Sequence, residues 1–155
     1  MKSIYFRTIY TLFVFLVLVV SSCNKAKPTN ETKSITDTDR YYSALSAEKG
    51  RNAAFMAMFD SAGVTLAAHK PPIEGIEAIK KILLSSSDST YILTWKPLFA
   101  KVAASAELGY TYGTYKLTDK KSLKIIEQGT YTTIWQKNSR GKWKAVMDTG
   151  NEGLE

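Results

Sequence analysis

Apolar and polar positions change rhythm three times along the chain, and each rhythm predicts a different structure. Ile9 to Val20 is an apolar run broken only by Thr11. Asn24 to Thr36 is polar, with one proline and almost no large apolar group. Such a composition buries too little surface to offset its ordering entropy, so it reads as a flexible tether. From Arg40 the rhythm is helical: Tyr41, Leu45, Glu48, Asn52, Phe55 and Phe59 recur at alternating spacings of four and three. Asp37 or Asp39 can cap this helix. Gly50 interrupts it, which predicts a kink or two short helices. Glu48 and Asn52 are polar on the proposed inner face and read either as caps of that break or as ligand-facing groups.

Further on, Val64 to Ala68 reads as a short strand and His69 to Pro72 as a loop. Gly75 to Leu84 is an amphipathic helix with Ile76, Ile79 and Leu83 inward. The period then drops to two. Tyr91–Val102 is a strand that Pro97 confines to an edge or a bulge. Leu108–Leu117 follows, and Gly129–Lys137 and Lys142–Asp148 form a hairpin about Asn138-Ser139-Arg140-Gly141. Pairing Lys137 with Lys142 puts Tyr131, Thr133 and Trp135 on one face with Lys144, Val146 and Asp148, whereas a bulge would flip one strand. Both faces carry large apolar groups, so helices are expected on one side and a second copy of the chain on the other. The fold class expected is α+β, a curved, mostly antiparallel sheet wrapped around N-terminal helices.

At 155 residues the chain has the length of one domain. One cysteine, Cys23, excludes an intramolecular disulfide framework. His69 is the only histidine, so no protein-built metal site is expected, and nothing calls for a cofactor. The net charge of +7 is scattered among acids and turns, without a basic stripe or a nucleic-acid motif, and no nucleic-acid partner is expected. No glycine-rich phosphate loop follows a strand.

The apolar run is too short for a bilayer, which takes ~20 residues, and with Lys2 and Arg7 before it resembles a signal peptide. It ends Val20-Ser21-Ser22-Cys23, which resembles the lipobox of bacterial lipoproteins, with the Cys23 thiol as acyl acceptor. Asn24 in the next position is similar to an outer-membrane sorting signal, so the domain is expected to face the periplasm. The organisation expected is a signal peptide over residues 1–22, a tether over 23–37 and one domain over 38–155.

The order of elements resembles the nuclear transport factor 2-like superfamily, closest to its SnoaL-like and ketosteroid-isomerase-like branch. The residues that carry the likeness are Ser46 to Phe55 (SAEKGRNAAF), Gly75 to Ile79 (GIEAI), Leu108 to Gly113 (LGYTYG) and Trp143 to Asn151 (WKAVMDTGN). The resemblance implies a cone whose open end is lined by Tyr41, His69, Trp95, Tyr112, Thr133, Trp135 and Asp148. It also implies catalytic positions: Tyr41 where the isomerases have a helix tyrosine, His69 beside the position of their base, and Thr133 where they carry a protonated aspartate. Three functions follow as expectations. The first is a lipid-anchored module holding a small apolar ligand among aromatics. The second is an isomerase-, cyclase- or dehydratase-type enzyme with His69 or Asp148 as base and Tyr41 as donor. The third is a protein-interaction or assembly part.

Overall fold

The computed structural model describes residues 28–154. The signal peptide, Cys23 and the first residues of the expected tether lie outside the described residues. From Pro28 the chain is already helical: α1 spans Pro28–Lys49. Three interactions anchor the part of α1 expected to be tether. Ile35 is fully buried in the core, Trp143 Nε1 donates to Ser34 Oγ at 3.3 Å, and Lys137 pairs with Glu31 at 2.6 Å. One buried apolar residue, one hydrogen bond and one ion pair thus anchor a segment whose composition reads as disordered.

The face α1 turns inward is also different from the apolar one. Ile35, Asp39, Ser43 and Ser46 are buried, while Tyr41 is exposed. The reason lies in what the helix covers. Strand β3 (Tyr91–Val102) is the last in the sheet, and its outer edge has unpaired backbone groups. Ser43 Oγ donates to the Trp95 carbonyl at 2.7 Å and accepts from its amide at 2.8 Å; Ser46 Oγ donates to the Leu93 carbonyl at 2.8 Å. Serines are the right residues for a helix that seals a strand edge.

Gly50 breaks the helix as expected, with φ +90, and α2 continues over Arg51–Met58. A side chain at Gly50 would meet the Asp88 carboxylate, which accepts from the Asn52 amide at 2.9 Å and so caps α2 from a distance. Asn52 itself ties α2 to the end of the next helix through the Leu83 carbonyl, and Glu48 is exposed. Neither side chain caps the break, and neither faces a ligand cavity.

Strands β1 (Phe59–Leu66) and β2 (Ile73–Glu74), helix α3 (Ile76–Ser85), β4 (Leu108–Asp119), β5 (Ile125–Lys137) and β6 (Trp143–Glu152) complete the chain. They form a six-stranded sheet in the order β2-β1-β6-β5-β4-β3, antiparallel except for β1 beside β6. It is an α+β fold, with a curved, unclosed sheet and the helices packed against one face. Pro97 falls on the edge strand at a register shift, which satisfies both expectations for it. One end of the hollow is packed solid by Ile35, Val102, Trp135, Trp143 and Ala145.

The register of the last hairpin decides which side chains face the helices. Lys137 pairs with Trp143, one position beyond the simplest expectation, so Trp143 and Ala145 point inward beside Trp135 and are buried. Between Trp135↔Ala145 and Ile134↔Met147 the register shifts, leaving Val146 unmatched. That bulge reverses the alternation, and from there Asp148, opposite Thr133, is the residue on the inner face.

Candidate functional site

Beyond the packed end the hollow is not filled. Between α2 and the inner faces of β3 to β6 lies a cavity of about 310 Å³, near the lower limit of typical ligand pockets. Phe55, Met58, Leu93, Trp95, Leu117 and Tyr131 supply its apolar walls. Its polar groups are Thr133 and Asp148, with Arg51, Tyr91, Tyr115 and Glu127 also lining it.

Asp148 is the chemically distinctive group. Thr133 Oγ1 donates to its Oδ2 at 2.6 Å, and among the described residues no donor reaches Oδ1. Burial raises its pKa to about 6; the Thr133 bond lowers it, and the negative charge of Asp39 adds to the rise. Near neutral pH it therefore exchanges protons readily, as a general acid or base must.

A second carboxylate lies behind the cavity wall. Asp39 is fully buried; Trp95 Nε1 donates to Oδ1 at 2.5 Å and the Tyr131 hydroxyl to Oδ2 at 2.7 Å. Burial raises the Asp39 pKa, while bonds from Tyr131, Thr111 and Trp95 act against it. The same contact, with desolvation as the larger cause, holds the Tyr131 phenol well above the usual tyrosine range. Trp95 and Tyr131 thus have their polar atoms held by Asp39 while lining the cavity. Asp39 is a positioning residue for the cavity wall.

Arg51, Tyr115 and Glu127 have partners of their own. Arg51 donates to Asn52 Oδ1 at 2.9 and 3.1 Å and to Ser86 Oγ at 2.9 Å, and lies over the Tyr91 ring at 5.5 Å. The Tyr115 hydroxyl donates to Glu127 Oε1 at 2.7 Å. Among the described residues no three His, Cys, Asp or Glu side chains cluster as a metal site.

Of the residues singled out from the sequence, Trp95, Thr133 and Asp148 meet in this cavity. The other four do not. Tyr41 is 60% exposed, resting edge-on against Tyr42, because α1 turns its serine face inward. His69 is exposed in the loop before β2 at φ +60. Tyr112 lies on the outer face of β4 because Thr111 and Gly113 take the inward positions; it stacks on Phe99 at 5.3 Å. Trp135 faces inward but is fully enclosed, stacked on Tyr42 at 6.1 Å and donating to Thr111 Oγ1 at 2.8 Å. Arg51, Tyr115, Glu127, Tyr131 and Asp39 were not anticipated. Asp39, Ser43 and Ser46 at helical spacing were the available signal for a polar inner face.

No family profile and no curated protein sequence matches the chain. Solved structures do match. A ketosteroid isomerase-like protein from Erwinia carotovora atroseptica superposes with a TM-score of 0.63 at 14% identity, covering 81% of this chain and 98% of that one. A domain of unknown function with a cystatin-like fold from Nostoc punctiforme gives 0.68 at 13% identity, covering 83% and 81%. A nuclear transport factor 2-like superfamily protein from Salmonella enterica serovar Typhimurium gives 0.61 at 12% identity, covering 83% and 95%. Identities this low speak to architecture alone. The chain has the cystatin-like fold that these nuclear transport factor 2-like and ketosteroid isomerase-like proteins share.

Proposed function

We propose that this is a lipid-anchored envelope domain that binds a small, largely apolar ligand in the cavity between α2 and the sheet. The observation that supports the reading is the half-enclosed, aromatic-walled cavity with one poorly partnered carboxylate, Asp148, on its wall. Ligand-induced melting shifts on the domain test it. Substituting Met58→Trp at the wall is expected to abolish those shifts while the protein still folds; shifts that survive it sink the reading.

A second reading is favoured by one observation, the rise of the Asp148 pKa to about 6. An isomerase- or lyase-type reaction would use Asp148 as the base, oriented by Thr133. Asp148→Asn would then abolish turnover while leaving ligand affinity within a few fold. His69 and Tyr41 do not reach the cavity and have no part in this reading.

Anchoring is assigned to a diacylglyceryl group on Cys23, in an outer membrane with the domain facing the periplasm. Residues 24–27 alone separate that cysteine from α1, so the domain would sit close to the lipid surface. Radiolabelled palmitate incorporation that persists in Cys23→Ser would overturn this. The exposed cluster of Phe99, Tyr110 and Tyr112 on the outer sheet face suits a second copy of the chain. Sedimentation showing a monomer at about 100 µM, well above the micromolar Kd expected of a modest interface, would remove that part of the proposal.

A further inference from the structure

The ligand class can be narrowed, on the reading that the cavity is a binding site. Buried carboxylates are ordinarily paired with a cation or satisfied by several donors. Asp39 follows that rule with two donors, Trp95 and Tyr131. Asp148, half-buried on the cavity wall, does not: Thr133 supplies one hydrogen bond, and among the described residues no cation pairs with it.

The groups that face the cavity from each packed element explain why. From α1, Asp39 is a like charge that disfavours ionisation of Asp148. From α2, Arg51 is the one cation on the lining, and it is committed to Asn52, Ser86 and the Tyr91 ring. From β3 to β5 come the phenols Tyr91, Tyr115 and Tyr131 and one more acid, Glu127, whose carboxylate accepts from Tyr115. Beside Asp148, β1 pairs through Thr65 and adds no charged side chain to the lining. Hence the cavity has a negative inner wall with Asp148 Oδ1 unclaimed, and the aromatic rings of Phe55, Trp95 and Tyr131 line the same cavity.

We propose that the cavity selects small aromatic or aliphatic molecules ending in a protonated amine, with the ammonium donating to Asp148 and the apolar body against Phe55, Trp95 and Tyr131. An ammonium supplies the donor and the charge that Asp148 lacks. The aromatic rings add cation–π attraction, which is strongest where water is excluded. A ligand carboxylate would instead meet the like charge of Asp148, with Asp39 behind the wall adding to the repulsion.

Calorimetric titration of the protein with 2-phenylethylamine, 2-phenylethanol and phenylacetate at pH 7.5 tests this. The amine is expected to bind about tenfold or more tightly than the alcohol, the factor a charge-assisted hydrogen bond supplies, and phenylacetate weakest. Asp148→Asn should remove the amine's advantage, bringing its affinity down to that of the alcohol for the same variant. Wild-type affinity for the amine should fall as pH drops through about 6, where Asp148 becomes protonated, while that for the alcohol stays flat. If the alcohol binds and the amine is no tighter, or phenylacetate is the tightest, the amine inference falls and the cavity reading stands. If none of the three binds, both fall.

Discussion

The two inward-facing aspartates of this domain, Asp39 buried and Asp148 half-buried, have opposite surroundings. Asp39, on α1 behind the cavity wall, is fully enclosed and collects donors from Trp95 and Tyr131. Asp148, on β6, has a single protein donor and opens onto the cavity. Both are desolvated, and desolvation is the largest influence on each. What differs is the number of donors supplied. A carboxylate with its lone pairs filled by the fold holds other side chains in place; one left short has capacity for a ligand or a proton.

The largest effect should come from removing the satisfied acid. Asp39→Ala leaves the Trp95 indole and the Tyr131 hydroxyl without their acceptor in a buried site. Stability should fall by about 3 kcal/mol or more, since two orphaned buried donors cost about 1–3 kcal/mol each. Urea unfolding followed by tryptophan fluorescence measures it. A loss below about 1 kcal/mol would mean that the two donors find other partners and that Asp39 is not what holds the wall.

Asp148→Asn should act in the other direction. The folded-state pKa of Asp148, about 6, lies above its ordinary 3.8, so the folded protein holds this proton more tightly than the unfolded chain. The resulting destabilisation is absent below pH 3.8, grows as pH rises towards 6, and is constant above that. A tenfold difference in proton affinity is worth about 1.4 kcal/mol, so the gap between the two values amounts to up to about 3 kcal/mol. The asparagine variant should therefore be more stable than wild type at pH 8 by up to about that amount, with the difference vanishing near pH 4. Equal stability at both pH values would show that Asp148 is hydrated and that the contrast with Asp39 is false. A gain in stability on removing a polar group is what a functional site, rather than a structural one, should give.

Thr133→Val is the finer test, because it removes the one donor and keeps the shape. The Asp148 midpoint should move further above 6, as the Thr133 bond is what lowers it. Stability should fall by ~1.5 kcal/mol at pH 8, where the acceptor is charged, and by less at pH 5. Carboxyl carbon-13 chemical shifts followed through the titration report the midpoint directly. A midpoint that stays in place would mean that water already does the work of the hydroxyl.

How much of this was legible in the sequence depends on what kind of signal each feature leaves. The strands and the break at Gly50 were readable, because period-two alternation and a left-handed backbone position each restrict the residues that fit. The fold class followed from them. Helix α1 misleads a search for apolar periodicity: its inward residues after Ile35 are Asp39, Ser43 and Ser46, which bond the edge of β3 and the rings beside it. Asp39 looks like a helix cap only when the burial that gives it a different role is unknown. Asp148 was read onto the face of Thr133 and lies there, but through a different register from the expected pairing of Lys137 with Lys142. Val146 is the unmatched residue of a bulge, and without it the alternation from Trp143 and Ala145 would place Asp148 on the outer face. A bulge within a strand of β-formers leaves no compositional mark.

The smallest effects belong to the two residues that looked catalytic from their place in the sequence. Tyr41→Phe removes a hydroxyl from a ring that is 60% exposed and keeps its edge contact with Tyr42. His69→Asn preserves a residue type that tolerates the positive φ of that position. Each should change stability by less than about 0.5 kcal/mol, as surface substitutions usually do, and leave affinity for any cavity ligand unchanged. Both sites lie off the cavity wall, so neither variant alters the donors of Asp39 or the isolation of Asp148. Calorimetry and urea unfolding on the two variants check this against the Asp39 and Asp148 series. A tenfold loss of ligand affinity in either would mean that the loop before β2 or the outer face of α1 closes over the cavity when a ligand binds. Asp148 would then gain partners on closure, and its contrast with Asp39 would no longer hold in the complex.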